Sequence, residues 1–304
     1  MSMPPENGLS RRRFIAQASR AALGGSLLGL AGISEAAEPR DPYTPFRMGM
    51  QSYSLRAFGR DEMLDMVRDL GLRYLEAFGT HFPQTEETAA IAEQRVALKA
   101  RGLRLTDYGV VPFGGDQAAN RALFAYAKAM RIGTLSADPA PESCDQLDEL
   151  VEEFDINIAI HNHGPGSRYD KIQSVLEAVA DRNTRMGACI DTGHFIRSDE
   201  DPVAAIRALG RRVHSLHVKD VTAEKQFTEV GKGVLDLVGM LQALLDVEFR
   251  GVMHLEYEEH AEAPLPYIEE CLAAIRKGVA RVRPLRKPHP RELWPGWPSP
   301  SQDG

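Results

Sequence analysis

Histidine, carboxylate and lysine side chains recur in this sequence where short apolar runs end. The residues at these ends are Glu76, His161, Asn162, His163, Asp191, His194, His217, Lys219 and Glu256. One such residue is usually structural, but ligand-type residues at the ends of four consecutive runs are much less expected by chance. Imidazole nitrogens combined with carboxylate oxygens suit Mn²⁺, Zn²⁺, Co²⁺ or Fe²⁺ better than Ca²⁺. The pattern predicts one divalent metal, Mn²⁺ in first place, with a metal-free polar cleft as the alternative.

The chemistry of such a site follows from general principles. A divalent ion chelated by a ketone oxygen and a neighbouring hydroxyl stabilises an enediolate as a Lewis acid, so the carbon between them becomes acidic. After a base removes the proton, reprotonation gives an isomer or epimer, and loss of a β-oxygen gives elimination. The predicted acid/base residues are Glu256, Glu76, Lys219 and His163.

Lys219 has two possible states in this arrangement. Its pKa is lowered near the metal, or its ammonium pairs with Asp220 or Glu258. The sequence leaves both open.

The elements that must position these residues alternate along the chain. Apolar runs predict strands at 48–53, 73–78, 103–110, 132–136, 156–161, 186–191, 213–218 and 252–257. Amphipathic runs predict helices at 60–70, 86–100, 116–130, 143–154, 170–180, 202–209, 235–245 and 266–277. Eight strand–helix units in about 230 residues predict a single (β/α)8 TIM barrel over residues 46–280, whose strand ends meet at one mouth. An open doubly wound sheet would carry a glycine-rich first turn, which this sequence lacks.

The two ends of the chain differ from the barrel. Residues 10–15, SRRRFI, match the twin-arginine export pattern, an apolar stretch covers 21–33, and small residues follow. Residues 1–37 are therefore predicted to be a signal peptide, which implies the twin-arginine export machinery as a partner and a periplasmic mature protein. Residues 281–304 carry six prolines and both tryptophans, which predicts an extended strap or a disordered tail.

Composition narrows the class of partner. The formal net charge of −7 disfavours nucleic-acid binding, which relies on neutralising phosphates. Past the leader, no apolar run reaches the length of a membrane span. Three cysteines are an odd number without metal-type spacing, and nothing in their spacing supports a Cys144–Cys271 disulfide. The expected partner is a small carbohydrate, and a homo-oligomer stays open.

Five segments together resemble a known family, the xylose-isomerase-like TIM barrels that include sugar phosphate isomerases and epimerases. They are IAIHNHG (158–164), IDTGHF (190–195), SLHVKD (215–220), VGKGVLDL (230–237) and HLEYE (254–258). In the family's keto-sugar epimerases, Glu, Asp, His and Glu from strands five to eight bind one divalent ion, and the two Glu residues act as an acid/base pair. The resemblance implies metal ligands at Asp191, His217 and Glu256 and places His161 at the first position, with His163 as the alternative ligand there.

The resemblance also implies how a substrate is held and converted. His194 is expected to contact it, or else to orient Asp191, and His81 and Asn162 are further expected substrate-binding residues. The histidine in place of the strand-five Glu argues against a symmetric two-carboxylate epimerisation, and HNHG resembles inosose-dehydratase-like and keto-glycoside-lyase-like relatives. The sequence thus predicts a metal-dependent isomerase, epimerase or lyase that acts through an enediolate on a keto-sugar or 3-keto-glycoside.

Two alternatives belong to other classes. One is a non-catalytic periplasmic barrel that binds carbohydrate or metal, and the other is a metal-dependent nuclease resembling endonuclease IV, which the acidic charge disfavours. The loop Gly231-Lys232-Gly233 resembles a phosphate cradle, but a simple turn into the next helix is the preferred interpretation, since a lone G-x-G is a weak signal.

Overall fold

A computed structural model describes residues 41–282 of the chain. Eight parallel strands close into a barrel in chain order, because β1 pairs with both β2 and β10. The barrel strands are β1 (Met48–Gln51), β2 (Tyr74–Ala77), β3 (Arg104–Phe113), β4 (Thr134–Pro139), β5 (Asn157–His161), β6 (Met186–Asp191), β7 (Val213–Val218) and β10 (Val252–Leu255). Between β7 and β10, a small antiparallel pair is formed by β8 (Asp220–Val221) and β9 (Phe227–Thr228). The predicted TIM barrel is confirmed.

Helices follow the barrel strands on the outside. They are α1 (Arg60–Asp69), α2 (Thr88–Ala100), α3 (Gln117–Met130), α4 (Cys144–Phe154), α5 (Ile172–Val179), α6 (Thr192–Arg197), α7 (Pro202–Leu209), α8 (Leu237–Asp246) and α9 (Leu265–Val279). The bounds of β6, β7 and α7 agree with the prediction, whereas α6 and the β8–β9 pair were not predicted. The first strand ends at Gln51, two residues early, and a 3₁₀ turn covers Ser52–Leu55.

The core forms from the buried faces of these elements. All six residues of β6 are buried, as expected for a strand covered on both faces of a parallel sheet. Leu75, Leu135 and Ile190 from three different strands are fully buried, as is Ile275 of the last helix. The strands therefore form a rigid frame, and the residues at their carboxyl ends are held in fixed positions.

The turn from β6 into α6 is sharp because Asp191 serves both elements. Asp191 is the last residue of β6, and its Oδ1 accepts a hydrogen bond of 2.8 Å from the backbone N–H of His194. A carboxylate at this position caps the free amides of a helix start. The short helix α6 can thus begin directly at the mouth of the barrel and carry His194 there.

Some predictions fall outside the described residues. The predicted signal peptide and all but the first two residues of the predicted tail lie there. Within residues 41–282, no helix combines the length and apolar character needed to cross a bilayer. Cys144, Cys189 and Cys271, all in the described part, are buried and unpaired.

Candidate metal centre

Four side chains converge at the carboxyl ends of neighbouring strands. His161, Asp191, His217 and Glu256 each offer one ligand atom, and these atoms lie within 4.8 Å of one another. His161 Nε2 is 3.0 Å from His217 Nδ1 and 3.4 Å from Asp191 Oδ2. Glu256 Oε2 is 2.9 Å from His217 Nδ1. The four residues expected to bind the metal are therefore brought together.

The residues present fit a divalent ion. Two imidazole nitrogens and two carboxylate oxygens form a donor set typical of Zn²⁺, Mn²⁺ or Fe²⁺. Asp191 Oδ2 is buried and makes no hydrogen bond within residues 41–282, so its charge is balanced there by the Lys219 ammonium at 3.1 Å, a place that a metal cation could take. Burial lowers the pKa of His161 to about 3, so this imidazole is neutral and has a lone pair available to a cation.

His163 lies outside this group of donor atoms. Its Nδ1 is 3.5 Å from Nδ1 of His161, whereas His161 uses the opposite ring nitrogen, Nε2, to face the other three residues. The ring of His163 is partly exposed and lies beside the ring of His194, with the centroids 5.7 Å apart. Of the two strand-five histidines, the structure thus brings His161 into the candidate site and leaves His163 at the mouth.

Glu76 holds His217 from below. Its Oε2 is 2.8 Å from His217 Nε2, and both side chains are fully buried. A carboxylate on the outer nitrogen of a ligating histidine fixes the ring so that the other nitrogen faces the metal. Glu76 was predicted as a catalytic residue, but its carboxylate is on the far side of the His217 ring from the donor atoms, because Glu76 points into the barrel one layer deeper.

The groups around His217 also affect its protonation. Burial lowers the pKa of His217, but Cys189, Glu76 and Glu256 together raise it well above its usual value. In the metal-free protein the imidazole is therefore protonated, and a metal has to displace that proton.

Lys219 lies among three carboxylates. Its Nζ is 2.8 Å from Glu256 Oε2 and 3.1 Å from Asp191 Oδ2, and it also contacts Glu258 Oε1. Burial lowers the pKa of Lys219, but the three carboxylates outweigh it and the net shift is upward. Of the two states considered, pairing with Glu258 is found and a lowered pKa is not, so Lys219 is an ammonium in this arrangement.

Both carboxylates of the site are ionised. Burial raises the pKa of Asp191 and of Glu256, but nearby cations, with Lys219 first among them, bring each value below its usual range. Together with two histidines, these carboxylates would neutralise a bound dication.

The mouth of the site is covered by residues from the short elements that were not predicted. The ring of Phe227 in β9 lies 5.5 Å from the ring of His194 and 5.2 Å from Lys219 Nζ, and the guanidinium of Arg197 stacks on it at 4.9 Å. A Cβ atom on Gly193 would lie 2.8 Å from Lys219 Cβ and 3.0 Å from Phe227. Glycine is therefore required at position 193 by this close approach.

Two expected substrate-binding residues have other contacts. The side-chain amide of Asn162 accepts from the backbone N–H of Asp191 at 2.8 Å and donates to its carbonyl at 2.9 Å. The buried Asn162 therefore joins the end of β5 to β6, and its side-chain oxygen and nitrogen are both engaged by Asp191. His81 is 4% exposed, and its Nε2 lies 3.0 Å from the carbonyl of Phe58 while its ring packs edge-on against Phe78.

The glycine loop after β9 is occupied by a residue of the chain itself. Asp220 Oδ2 accepts from the backbone N–H groups of Gly231 and Gly233, and Oδ1 accepts from Leu235. The amides that a phosphate would need are already bound to this carboxylate. The turn interpretation is therefore the correct one.

Comparison with known proteins agrees with this geometry. Residues 136–278 match the family described as Xylose isomerase-like TIM barrel. Over these residues the chain is similar to the xylose isomerase-like TIM barrels, and its closed eight-stranded barrel agrees with that likeness. It is 28% identical over 201 residues to the rhizopine catabolism protein MocC of Rhizobium meliloti, covering 60% of this chain and 61% of that protein.

Two further proteins are similar to the chain, one in sequence and one in fold. An inosose dehydratase of Clostridium beijerinckii is 24% identical over 149 residues, which cover 41% of this chain and 48% of the relative. The chain thus spans between about half and three fifths of the length of these relatives. A solved structure of the IOLI protein with a bound zinc atom has a TM-score of 0.65 at 15% identity, over 78% of this chain and 99% of that one, which shows a shared fold.

Proposed function

We propose that the protein is a divalent-metal-dependent enzyme of the sugar isomerase, epimerase and dehydratase class, and that it catalyses β-elimination, releasing water from a keto-sugar or keto-cyclitol, or the aglycone alcohol from a 3-keto-glycoside. The observation that carries the proposal is the buried donor set of His161, Asp191, His217 and Glu256 with Lys219 in direct contact with two of its carboxylates. The names of the relatives support the substrate class, since one curated relative is an inosose dehydratase.

Each residue of the site has a distinct part in this proposal. When bound, a divalent ion supplies Lewis-acid polarisation of a ketone and its neighbouring hydroxyl. His163 stands at the mouth, partly exposed and outside the donor set, and is the proposed base for the carbon-bound proton. The Lys219 ammonium is the proposed acid for the departing hydroxyl, and His194 the proposed hydrogen-bond donor to the substrate.

Elimination is preferred over epimerisation because the two proton-transfer groups differ chemically. Epimerisation moves a proton between opposite faces of one carbon, and two similar carboxylates suit that task. Here the strand-five position holds His161, Glu76 is hidden behind His217, and Glu256 is engaged by His217 and Lys219. The remaining pair, an imidazole and an ammonium, suits removal of a proton from one atom and donation to another.

Mass spectrometry in D₂O separates the possible outcomes. The protein is loaded with Mn²⁺ or Zn²⁺ and incubated with 2-keto-myo-inositol and with a 3-keto-glucoside. Loss of one water from the keto-inositol, or of the aglycone alcohol from the 3-keto-glucoside, supports elimination, whereas incorporation of one deuterium without either loss supports an isomerase or epimerase. Binding of either compound without any change in mass favours the non-catalytic barrel. His163→Asn and Lys219→Met are expected to abolish turnover, and Lys232→Met, which removes an exposed lysine paired with Glu270, is the matched control.

We propose the periplasm as the place of action. The twin-arginine pattern at residues 10–15 supports it, and a non-phosphorylated substrate is compatible with that compartment. Fractionation of cells that express the full chain tests this assignment.

A further inference from the structure

A second buried polar group lies directly below the candidate metal centre. Glu76 of β2, Asp107 of β3 and His254 of β10 point into the barrel, and each residue is at most 2% exposed. Barrel interiors are usually filled by branched apolar side chains, and burying charged groups is costly unless they are paired. Apolar packing therefore does not explain why these three residues lie in the barrel interior.

His254 is the centre of this layer. Its Nδ1 is 3.3 Å from Glu76 Oε2 and 3.3 Å from Ser215 Oγ, while its Nε2 is 3.4 Å from Thr106 Oγ1 and 3.6 Å from Asp107 Oδ2. The carboxylates of Glu76 and Asp107 thus lie on opposite edges of one imidazole ring. Glu76 in turn faces two imidazoles, because His217 Nε2 is 2.8 Å from the same Oε2 atom.

This arrangement is a poor second metal site. An imidazole nitrogen binds a metal along its own lone pair, so one nitrogen of His254 cannot share an ion equally with carboxylates on both edges of the ring. The surroundings also disfavour a cation, since the Arg47 guanidinium acts electrostatically on both Asp107 and His254. The contacts instead form a column that leads from Asp107 through His254 and Glu76 to His217.

The contacts of His254 indicate which ring nitrogen carries the proton. Glu76 Oε2, 3.3 Å from Nδ1, belongs to a carboxylate, which only accepts hydrogen bonds. On the other side, the Thr106 hydroxyl at 3.4 Å can donate to Nε2, and burial, followed by the nearby Glu76 charge, raises the pKa of Asp107 to about 8, so that this carboxyl is protonated at neutral pH. The ring proton of His254 is therefore on Nδ1, where it faces Glu76.

We infer that His254 and Asp107 are positioning residues of the metal centre: they orient Glu76, which holds the His217 ring with Nδ1 toward the metal. This inference rests on the metal site of the proposed function but not on its substrate or reaction. Partners of this kind typically contribute 10- to 100-fold to metal affinity.

Metal affinity of matched variants tests the column. Zn²⁺ and Mn²⁺ dissociation constants are measured by chelator competition for wild type, His254→Leu and His254→Asn. The asparagine amide can still donate to Glu76 from the Nδ1 position, so His254→Asn should stay within a few-fold of wild type, whereas His254→Leu should bind about 10-fold more weakly or worse. Asp107→Asn, which imitates the protonated carboxyl, should likewise bind more tightly than Asp107→Leu. His214→Asn, on β7 but bound to the Thr184 carbonyl, is the control for general disturbance.

A second measurement is independent of metal. Nitrogen-15 NMR of the metal-free protein reports which ring nitrogen of His254 carries the proton, and the inference requires Nδ1–H. An Nε2–H tautomer would overturn it, as would wild-type metal affinity in His254→Leu. A second metal ion per chain that is lost in Asp107→Asn would show a second metal site instead. Absence of any metal in wild type would contradict the proposed function. The His254 tautomer would still test the inference in that case, because it is measured without metal.

Discussion

Replacing Lys219 by methionine is expected to strengthen metal binding while it destabilises the metal-free protein. The Lys219 ammonium lies 2.8 Å from Glu256 Oε2 and 3.1 Å from Asp191 Oδ2, the oxygens that would bind the metal. At an effective dielectric constant of about 20, each pair has an attraction of about 5 to 6 kcal/mol before desolvation is counted. A metal must compete with this attraction, so removal of the ammonium leaves two buried carboxylates free for the ion.

The magnitude follows from the same contacts. Removing one partner of a buried ion pair costs about 3 to 5 kcal/mol, and this cost falls on the metal-free state. If about 1.4 kcal/mol of it is recovered on metal binding, the affinity rises 10-fold. The Lys219→Met protein should therefore melt at lower temperature without metal, show a larger rise in melting temperature with Zn²⁺ or Mn²⁺, and lose turnover.

Two assays check this prediction. Chelator competition gives the metal dissociation constant, and thermal unfolding with and without metal gives the stabilisation. Lys232→Met removes a lysine that pairs with Glu270 at the surface and should change neither quantity. Unchanged or weaker metal binding in Lys219→Met, with the fold intact, would refute the view that Lys219 competes with the metal for these carboxylates.

Three further predictions concern the mouth, acid stability and export. Gly193→Ala should displace Phe227 and cost about 1 to 3 kcal/mol of unfolding free energy by overpacking; an unchanged denaturation midpoint would contradict the close contact. In chelator-treated protein, burial holds the pKa of His254 at about 4 and that of His161 at about 3, below the unfolded value of about 6.5, so the unfolded chain binds more protons in this range. Each histidine should thus lower the unfolding free energy by about 1.4 kcal/mol for each pH unit between 6.5 and its folded pKa, while Asp107, whose pKa is raised to about 8, offsets one of the two down to a pH of about 4. Urea titrations that show a flat pH dependence would oppose this. Changing the Arg11–Arg12 pair to lysine should keep the protein in the cytoplasm, whereas continued export would argue against the twin-arginine route.

The barrel and the clustering of the candidate metal ligands could be predicted because each corresponds to a long or repeated pattern in the sequence. The β6 run is small or apolar until Asp191, and in β7 the apolar residues Leu216 and Val218 flank His217, so the ends of both strands and the positions of Asp191 and His217 were evident. The six residues of α6 and the two-residue strands β8 and β9 are too short for a helical or alternating pattern. The contribution of Phe227 to the mouth therefore had no signal.

Side-chain direction explains the remaining differences between the predicted and the observed positions of the site residues. Residue types at a strand end were visible, but successive side chains of a strand point to opposite sides. His161 consequently faces the site, while Asn162 binds the neighbouring strand. The same period of two could have indicated the deeper layer, because His254 is two residues before Glu256 and shares its face. The sequence could not show in which layer of the barrel interior Glu76 lies, since the layer of a residue depends on the stagger of the strands.

The most direct test of the account is the metal content of purified wild type beside Asp191→Ala, His161→Ala and His163→Ala. The structure predicts about one divalent ion per chain in wild type, retained in His163→Ala and lost in both Asp191→Ala and His161→Ala, because only the latter two residues face the donor set. Loss in His163→Ala with retention in His161→Ala would contradict the assignment of the fourth ligand. Absence of metal from every preparation, even after Mn²⁺ or Zn²⁺ is added, would contradict the metal centre itself.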